Sequence, residues 1–276
     1  MIIQEALNQA VSFGISRIEA KIVLAWLLKC DAAFLIAYPE SPLSEEIALK
    51  LEAHAQDIAS GVPIEHITGI KWFYGRPFFV NKNVLIPRPE TEHIIEEVIA
   101  HIGAEEEVSI LDVGTGSGCI AITLSLELPN AQCTAVDISE AALVVAHVNA
   151  EKFNSGQRVE FLKSDLLDEV TKRKFDVIVA NLPYIGRVEE PELEVKVRDH
   201  EPVQALYGGH HGYELYERFL DECSGLFHQP RVIMCEVGAG QRKVITELIE
   251  KYYKAARIEW TSDLAGLDRV VKIYVG

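Results

Sequence analysis

The fold is decided by the stretch ILDVGTGSG at residues 110–118, where a strand-like apolar run passes directly into a glycine-rich turn. Glycine lets the backbone bend and a ligand approach, and the amides that start the next helix can meet a negative group. We therefore predict a cofactor turn made of Gly114, Thr115, Gly116, Ser117 and Gly118. Cys119 stands where the dinucleotide fingerprint needs Gly or Ala, which disfavours a nicotinamide site. No G-K-[ST] ends the turn, so it is not a P-loop.

Two acids follow this turn, at the ends of the next two predicted strands. Asp137 lies 19 residues after Gly118, where an acid can bind both hydroxyls of a ribose. Asp165 ends the third strand and precedes Leu166, so an adenine ring is expected there, with its amine near the carboxylate and its face against the leucine. The weaker alternative is that Asp112, Asp137 and Asp165 only cap helices.

The fourth predicted strand, Phe175–Ala180, ends in the loop Asn181-Leu182-Pro183-Tyr184. Ligands bind at the carboxyl ends of strands in open α/β sheets. The Asn181 amide oxygen and a neighbouring backbone carbonyl can accept two hydrogen bonds from a planar NH2 group, on which the Tyr184 ring can stack. The loop therefore predicts a receptor for an amide or an exocyclic amine. A simple strand-ending turn is the alternative, since Asn and Pro are common in turns.

Strands and helices alternate after residue 92, which predicts a doubly wound, mostly parallel α/β sheet. Before this region, apolar stripes predict three helices, of which the second and third have Ser16 and Ser44 as N-caps. A β-hairpin is predicted between the two regions. The other predicted helices are 94–102, 119–128, 140–153, 213–227 and 241–252, and the strands are 108–112, 132–137, 159–162, 175–180, 231–236, 257–260 and 270–274.

The net charge of −16 disfavours a nucleic-acid partner, because proteins that grip a phosphate backbone usually carry a basic face. Residues 1–74 contain 9 acids and 5 bases, and the remainder contains 33 acids and 21 bases, so neither part is basic. The one tight basic cluster, Lys172–Lys174, is expected to be a solvated loop.

The five cysteines are scattered without a C-x-x-C pair, which predicts neither a zinc site nor a disulfide framework and fits a reducing compartment. No metal site is expected. The apolar stretch Ile22–Leu28 is far shorter than the roughly 20 residues of a membrane span. Glu5 lies where a basic leader would begin, so no signal peptide is expected. A cytoplasmic protein without a membrane partner is therefore predicted.

The glycine turn, the ribose acid and the N-x-P-Y loop together resemble class I S-adenosylmethionine-dependent methyltransferases. Within that class, N-x-P-Y marks enzymes that methylate a planar nitrogen. These are the N6-adenine methyltransferases of nucleic acids and the glutamine-N5 methyltransferases of peptide chain release factors, the HemK/PrmC type. From about residue 60 to its end the chain is more similar to the second group. The similar segments are 63–69, 73–78, 84–92, 112–122, 201–202, 205–206, 208–209, Gly212, Tyr216, 236–238, Gln241, 263–266 and 268–271.

This resemblance implies both the fold and the cofactor. A seven-stranded, mostly parallel methyltransferase sheet is expected in residues 91–276, after a helical substrate-recognition domain at 1–67 and a hairpin linker at 68–90. S-adenosyl-L-methionine is the expected cofactor, bound by the turn and the acids named above together with Leu166 and Asn181. The family usually has two prolines in the loop, and Leu182 replaces the first. Its backbone carbonyl can still be the second amide acceptor, but its φ is not fixed by a ring.

The implied activity is methyl transfer to N5 of the glutamine in the Gly-Gly-Gln loop of class-1 release factors, the expected protein partners of a monomeric enzyme. Asn181, Pro183 and Tyr184 are the expected catalytic residues, and they bind the substrate together with Leu182 and Glu90. An acid at a helix N-terminus is an equally good account of Glu90. No histidine base is expected, because the methylated nitrogen is briefly a strong acid. Two alternatives stay open: an N6-adenine methyltransferase of DNA or RNA, and a non-catalytic release-factor or ribosome adaptor.

Overall fold

The computed structural model describes residues 1–103, 106–192 and 195–275. The helices are α1 (Ile3–Ser12), α2 (Arg17–Leu28), α3 (Ala32–Ala37), α4 (Glu45–Ala59), α5 (Ile64–Thr68), α6 (Glu92–His101), α7 (Cys119–Glu127), α8 (Glu140–Lys152), α9 (Val195–His200), α10 (Val203–Leu206), α11 (Glu214–Ser224) and α12 (Arg242–Tyr252). The strands are β1 (Ile70–Phe73), β2 (Arg76–Phe79), β3 (Val108–Val113), β4 (Ala131–Asp137), β5 (Val159–Lys163), β6 (Val177–Ala180), β7 (Ile185–Gly186), β8 (Tyr207–Gly209), β9 (Val232–Glu236), β10 (Arg257–Ser262) and β11 (Asp268–Tyr274). Short 3-10 helices occupy Pro89–Thr91 and Arg187–Glu192.

The first of two compact units contains Met1–Ile70 and residues 195–200. Its core is formed by the apolar faces of α1, α2 and α4. Ser16 caps α2 as predicted, because its hydroxyl accepts from the Glu19 amide and the Glu19 carboxylate accepts from the Ser16 amide at 2.7 Å. Ser44 also caps α4 as predicted, because its hydroxyl accepts from the Ile47 amide. The short helices α3 and α5 were not predicted, since each is too short to show an apolar period.

The second unit, residues 71–192 and 201–275, is built on a seven-stranded sheet in the order β10-β11-β9-β6-β3-β4-β5. The pairs β10–β11 and β11–β9 are antiparallel, and the other neighbouring strands are parallel. Strands β6 and β9 are buried along their whole length, as expected for strands covered on both faces. This confirms the predicted doubly wound, mostly parallel α/β fold.

The register of the central strands brings the predicted site together. Val113 at the end of β3 pairs with Val136 on β4 and with Ala180 on β6. From β3 the chain enters β4 on one side and later β6 on the other, and ligands bind at such a switch point in open α/β sheets. The glycine turn follows β3, Asp137 is the last residue of β4, and the loop 181–184 follows β6, so all three lie at one carboxyl edge of the sheet.

The predicted hairpin is formed by β1 and β2. Its two-residue turn contains Tyr74 (φ 47°) and Gly75 (φ 72°), and positive φ values suit the tight turn of a hairpin. Phe73 and Phe78 are buried, with ring centroids 5.9 Å apart, and both belong to the core formed by β3, β4, α6 and α7. Phe73 and Phe78 are therefore core residues of this unit, whereas Trp72 on β1 is exposed, contrary to the predicted core packing of the hairpin aromatics.

Candidate active site

A cavity of about 420 Å³ opens at the carboxyl edge of β3, β4 and β6. The residues predicted for the site that line it are Gly114, Thr115, Gly116, Ser117, Asp137, Asp165, Leu166, Asn181, Leu182 and Pro183. Three other predicted residues, Gly118, Tyr184 and Glu90, are not among the described residues that line it. The structure thus places most of the predicted cofactor and acceptor residues around one space within the second unit.

The glycine turn is shaped by backbone that only glycine adopts readily. Gly114, Gly116 and Gly118 have φ values of 76°, 55° and 80°. A side chain at Gly118 would meet Ile122 Cδ1 at 2.8 Å, so this glycine lets the turn pack against helix α7. A side chain at Gly116 would meet nothing within 4 Å, so its backbone borders open space that a ligand can enter.

Asp112 holds the turn from beneath. It is completely buried at the end of β3, where one carboxylate oxygen accepts from the Thr115 hydroxyl at 2.6 Å and from the Ala121 amide at 3.2 Å. Burial raises the pKa of Asp112 to about 7. Asp112 thus joins the turn to the start of α7.

Asp137 lines the cavity and joins the glycine turn to the start of α8. Its two oxygens accept from the Gly116 amide and from the Ser139 amide, each at 2.8 Å. Burial raises the pKa of Asp137. An ionised carboxylate has about four lone-pair positions, so two remain for ligand hydroxyls after these bonds.

An ion pair lies just after strand β5. Asp165 lies 2.9 Å from the guanidinium of Arg218, which also contacts Glu222 at 2.9 Å. The next residue, Leu166, is buried and has a φ of 46°, an uncommon value for a residue with a branched side chain. Asp165 and Leu166 both line the cavity, as the prediction of an adenine site requires.

The Asn181 amide is held by its nitrogen. Its Nδ2 atom donates to the Thr91 hydroxyl oxygen and to a carboxylate oxygen of Glu236, both at 2.9 Å. Within the described residues, no hydrogen bond involves its Oδ1 atom. The amide oxygen therefore stays available to a donor, as the sequence predicts.

Distant residues hold the rest of the loop. The Leu182 amide donates to the Tyr216 hydroxyl at 3.1 Å, and that hydroxyl donates to the Glu236 backbone carbonyl. The Tyr184 carbonyl accepts from Gln241 Nε2 at 2.8 Å. Leu182 thus compensates for the missing proline ring with a hydrogen bond that proline cannot form.

The glycine-rich segment 208–212 packs directly on this loop. A side chain at Gly208 would lie 2.2 Å from the Pro183 carbonyl oxygen, and one at Gly212 would lie 2.3 Å from the Tyr184 carbonyl oxygen. Strand β8, which contains Gly208, pairs with β7 directly after the loop. These glycines allow the backbone of segment 208–212 to contact the backbone of the loop 181–184, so the segment holds the loop in place.

Glu236 is buried at the centre of this arrangement, with 1% of its surface exposed. Burial raises its pKa to about 7, and the negative charge of Glu90 acts in the same direction. The Tyr184 hydroxyl lies 3.4 Å from its second carboxylate oxygen. Tyr184, predicted to stack on a substrate amide, thus turns its hydroxyl to Glu236, and its stacking role stays a prediction.

Glu90 lies in the 3-10 helix Pro89–Thr91, directly before α6. This position suits the alternative account of an acid at a helix N-terminus, and the role of Glu90 in substrate binding stays a prediction. Four residues that support the site were not predicted for it: Thr91, Tyr216, Glu236 and Gln241. Their signal was their place in the segments that carry the family resemblance.

Within residues 1–103, 106–192 and 195–275, His, Cys, Asp and Glu side chains form no group of three or more that could hold a metal ion. In the same residues, no helix has the length and apolar character of a membrane-spanning segment.

Comparison with known proteins identifies the family. A family model for the PrmC N-terminal domain matches residues 3–69, and one for the methyltransferase small domain matches residues 95–196. A release factor glutamine methyltransferase of Bacillus subtilis (strain 168) is 38% identical over 277 residues, which span 97% of this chain and 96% of the relative. The chain belongs to the release factor glutamine methyltransferase family. The protein is accordingly a methyltransferase.

Relatives of the same name reach across bacteria. One from Koribacter versatilis (strain Ellin345) is 38% identical, over 92% of this chain and 90% of its own length. One from Staphylococcus aureus (strain NCTC 8325 / PS 47) is 30% identical, over 98% of this chain and 96% of its own length. The resemblance predicted from about residue 60 onward is thereby confirmed, and the relatives extend it to nearly the whole chain.

Solved structures share the fold at low identity. A methyltransferase from Pyrococcus furiosus has a TM-score of 0.54 and 19% identity, over 74% of this chain and 91% of that chain. The N-terminal domain of human METTL16 in complex with SAH has a TM-score of 0.54 and 16% identity, over 92% of this chain and 94% of that chain. At these identities the likeness shows the class I methyltransferase fold alone.

Proposed function

We propose that this methyltransferase transfers a methyl group from S-adenosylmethionine to N5 of the glutamine in the Gly-Gly-Gln loop of class-1 release factors. The observation that carries the proposal is the Asn181 amide, whose nitrogen is bound by Thr91 and Glu236 and whose oxygen remains for a donor. A glutamine NH2 offers two donors, which match Asn181 Oδ1 and the Leu182 carbonyl. The names of the curated relatives support the same substrate.

The residues around the cavity fit the cofactor. The open space at Gly116 lets a ligand approach the turn backbone, and the remaining lone pairs of Asp137 suit the two hydroxyls of a ribose. Asp165 and Leu166 provide an acceptor and an apolar surface for adenine. When bound, S-adenosylmethionine supplies an electrophilic methyl group on a positively charged sulfur.

The protein contributes positioning. An amide nitrogen is a weak nucleophile because its lone pair is delocalised into the carbonyl. Acceptors at Asn181 and Leu182 would hold both N–H bonds and increase the electron density on the nitrogen. Positioning of this kind supplies up to about 7–11 kcal/mol of a barrier in ideal cases. After transfer the nitrogen is strongly acidic, so its proton can pass to water without a dedicated base.

The helical region 1–67 would recognise the body of the release factor, and the linker 68–90 would join it to the catalytic region 91–276. The net charge of −16 supports a protein substrate over a nucleic acid. We propose further that the enzyme works as a cytoplasmic monomer. Light scattering of the purified protein tests the oligomeric state, and a dimer at micromolar concentration would contradict it.

The test is methylation in vitro followed by mass spectrometry. Purified class-1 release factor and S-adenosylmethionine are incubated with the protein, and the Gly-Gly-Gln peptide should gain the mass of one CH2 on the glutamine side chain. A release factor with Gln→Ala in that loop is the matched control and should gain nothing. Label in DNA or RNA instead would favour the adenine alternative, and no turnover on either substrate would favour the adaptor alternative.

A further inference from the structure

The Asn181 side chain can adopt two orientations of the same shape. Rotation by 180° about its last bond exchanges Oδ1 and Nδ2, and only one of the two orientations leaves the oxygen as the acceptor that the proposed reaction needs. The partners of the amide therefore decide whether the site is competent. Thr91 alone does not decide, because a hydroxyl both donates and accepts.

Glu236 does distinguish the two ends. An ionised carboxylate only accepts hydrogen bonds, so it must face the NH2 end of Asn181, as it does at 2.9 Å. A protonated carboxyl group can donate to Oδ1 instead, and the preference for one orientation is then lost. We propose that Glu236 is the positioning residue that keeps the Asn181 oxygen available to the substrate amide, and that its protonation releases this orientation. The inference rests on the proposed function for its catalytic meaning, but not for its geometry.

The surroundings of Glu236 bring its pKa close to 7. Burial raises its pKa to about 7, and Glu90 adds a like charge from the 3-10 helix before α6. Arg269 on β11 acts in the opposite direction, but it is paired with Asp263 at 2.8 Å.

The other groups that face Glu236 are neutral near pH 7. They are the hydroxyls of Thr91 and Tyr184 near the Glu236 carboxyl group, and the buried hydroxyl of Tyr216, which donates to the Glu236 backbone carbonyl. The buried thiol of Cys119 also lies within reach of the Glu236 charge. Because the pKa is raised, the ionised form is present above about pH 7 and is lost as the pH falls through that value. The orientation of Asn181 should follow the same curve.

The deciding measurement uses the cofactor-free protein and needs no activity. The side-chain NH2 resonances of Asn181, assigned by their loss in Asn181→Ala, are followed by NMR between about pH 5.5 and 8.5. They should shift with a midpoint near pH 7. Asn149 is an internal control, since its Nδ2 donates to the backbone carbonyls of Phe79 and Ser117, both at 2.9 Å. In Glu236→Gln the Asn181 titration should disappear.

Kinetics on release factor then measure the consequence. Glu236→Ala should lower kcat about a hundredfold, the cost of a misplaced reacting group, while calorimetry finds cofactor affinity within a few-fold of wild type. Glu236→Gln can both donate and accept, like the protonated acid, so it should also lose the preferred Asn181 orientation. It should keep kcat below wild type and remove the fall of kcat between about pH 8 and about pH 6 that Glu236 causes.

Three results would overturn the inference: Asn181 resonances that do not titrate, a titration that persists in Glu236→Gln, or a Glu236→Ala enzyme with wild-type kcat. Failure of the wild-type protein to methylate any release factor would overturn the proposed function instead, and the NMR titration would still decide the role of Glu236.

Discussion

The glycine turn and the amide loop lie at the same edge of the sheet but are held in different ways. In the turn, Asp112 bonds residues 3 and 9 positions away, and Asp137 bonds one 21 positions away. In the loop, the Asn181 amide is bound by residues 90 and 55 positions away, and the Leu182 amide by one 34 positions away. The glycine turn is thus held by residues nearer in the chain, and the Asn181 loop is held by residues that only the finished fold brings to it.

This difference predicts that the two sides fail separately. Damage to the turn or its acids should weaken cofactor binding and leave the acceptor geometry intact. Damage to the loop, including damage from residues far away in the sequence, should lower turnover and leave cofactor affinity nearly unchanged. Each substitution below tests one side.

The largest effect is expected for Asn181→Ala, which removes the acceptor itself. We expect kcat to fall about a thousandfold, which is the upper range for loss of one hydrogen-bonding group at a reacting centre. Cofactor affinity, measured by calorimetry, should stay within a few-fold of wild type. Near-normal turnover would show that Asn181 does not hold the substrate amide.

Gly208→Ala should displace the loop 181–184 through the segment that packs on it. The new methyl group would lie 2.2 Å from the Pro183 carbonyl oxygen, so the loop must move, and a shift of about 1 Å in a reacting group costs about a hundredfold in rate. Gly225→Ala is the matched control, because its nearest contact would be an ordinary 3.5 Å. Equal kcat values for the two variants would contradict the supporting role of segment 208–212.

Asp137→Ala should act on the opposite side. Loss of the hydrogen bonds from ribose hydroxyls to a carboxylate should weaken cofactor binding by about 2 kcal/mol, or about thirtyfold. The kcat at saturating cofactor should change only a few-fold. If calorimetry gave the wild-type affinity, Asp137 would not belong to the cofactor site.

The smallest effect concerns stability. Tyr216→Phe leaves the buried amide of Leu182 without its acceptor, which should lower the free energy of unfolding by about 1–2 kcal/mol in urea. Leu182→Pro removes that amide, so the same tyrosine substitution should cost less in a Leu182→Pro background. Equal costs in both backgrounds would show that the Tyr216 hydroxyl does not hold the loop through Leu182.

The same contrast explains what the sequence could predict. The glycine turn and the Ser16 cap depend on neighbours in the chain, and Asp137 stands at a fixed spacing after the turn, so their patterns are visible in the sequence. The alternation of strands and helices is visible in the apolar pattern, so the doubly wound sheet could be predicted from the sequence. The partners of Asn181 are side chains that meet it only after the sheet and its crossovers have formed, and no local pattern connects Thr91 or Glu236 to it.

The short elements failed for a related reason. Helices α3, α5 and α10 and the pair β7–β8 have six residues or fewer, too few to show a period. From the sequence, segment 208–212 is interpreted as a mobile lid or as a turn before the next helix, and its packing on the loop is not predicted, because glycines indicate close approach without indicating what approaches.

Leu182 touches both sides of the site, since its Cδ2 atom would lie 3.1 Å from a side chain built at Gly114. The Leu182 side chain therefore forms part of the contact between the glycine turn and the loop 181–184. An engineer who wants this scaffold to transfer ethyl, allyl or propargyl groups from synthetic sulfonium donors should begin by shortening that side chain.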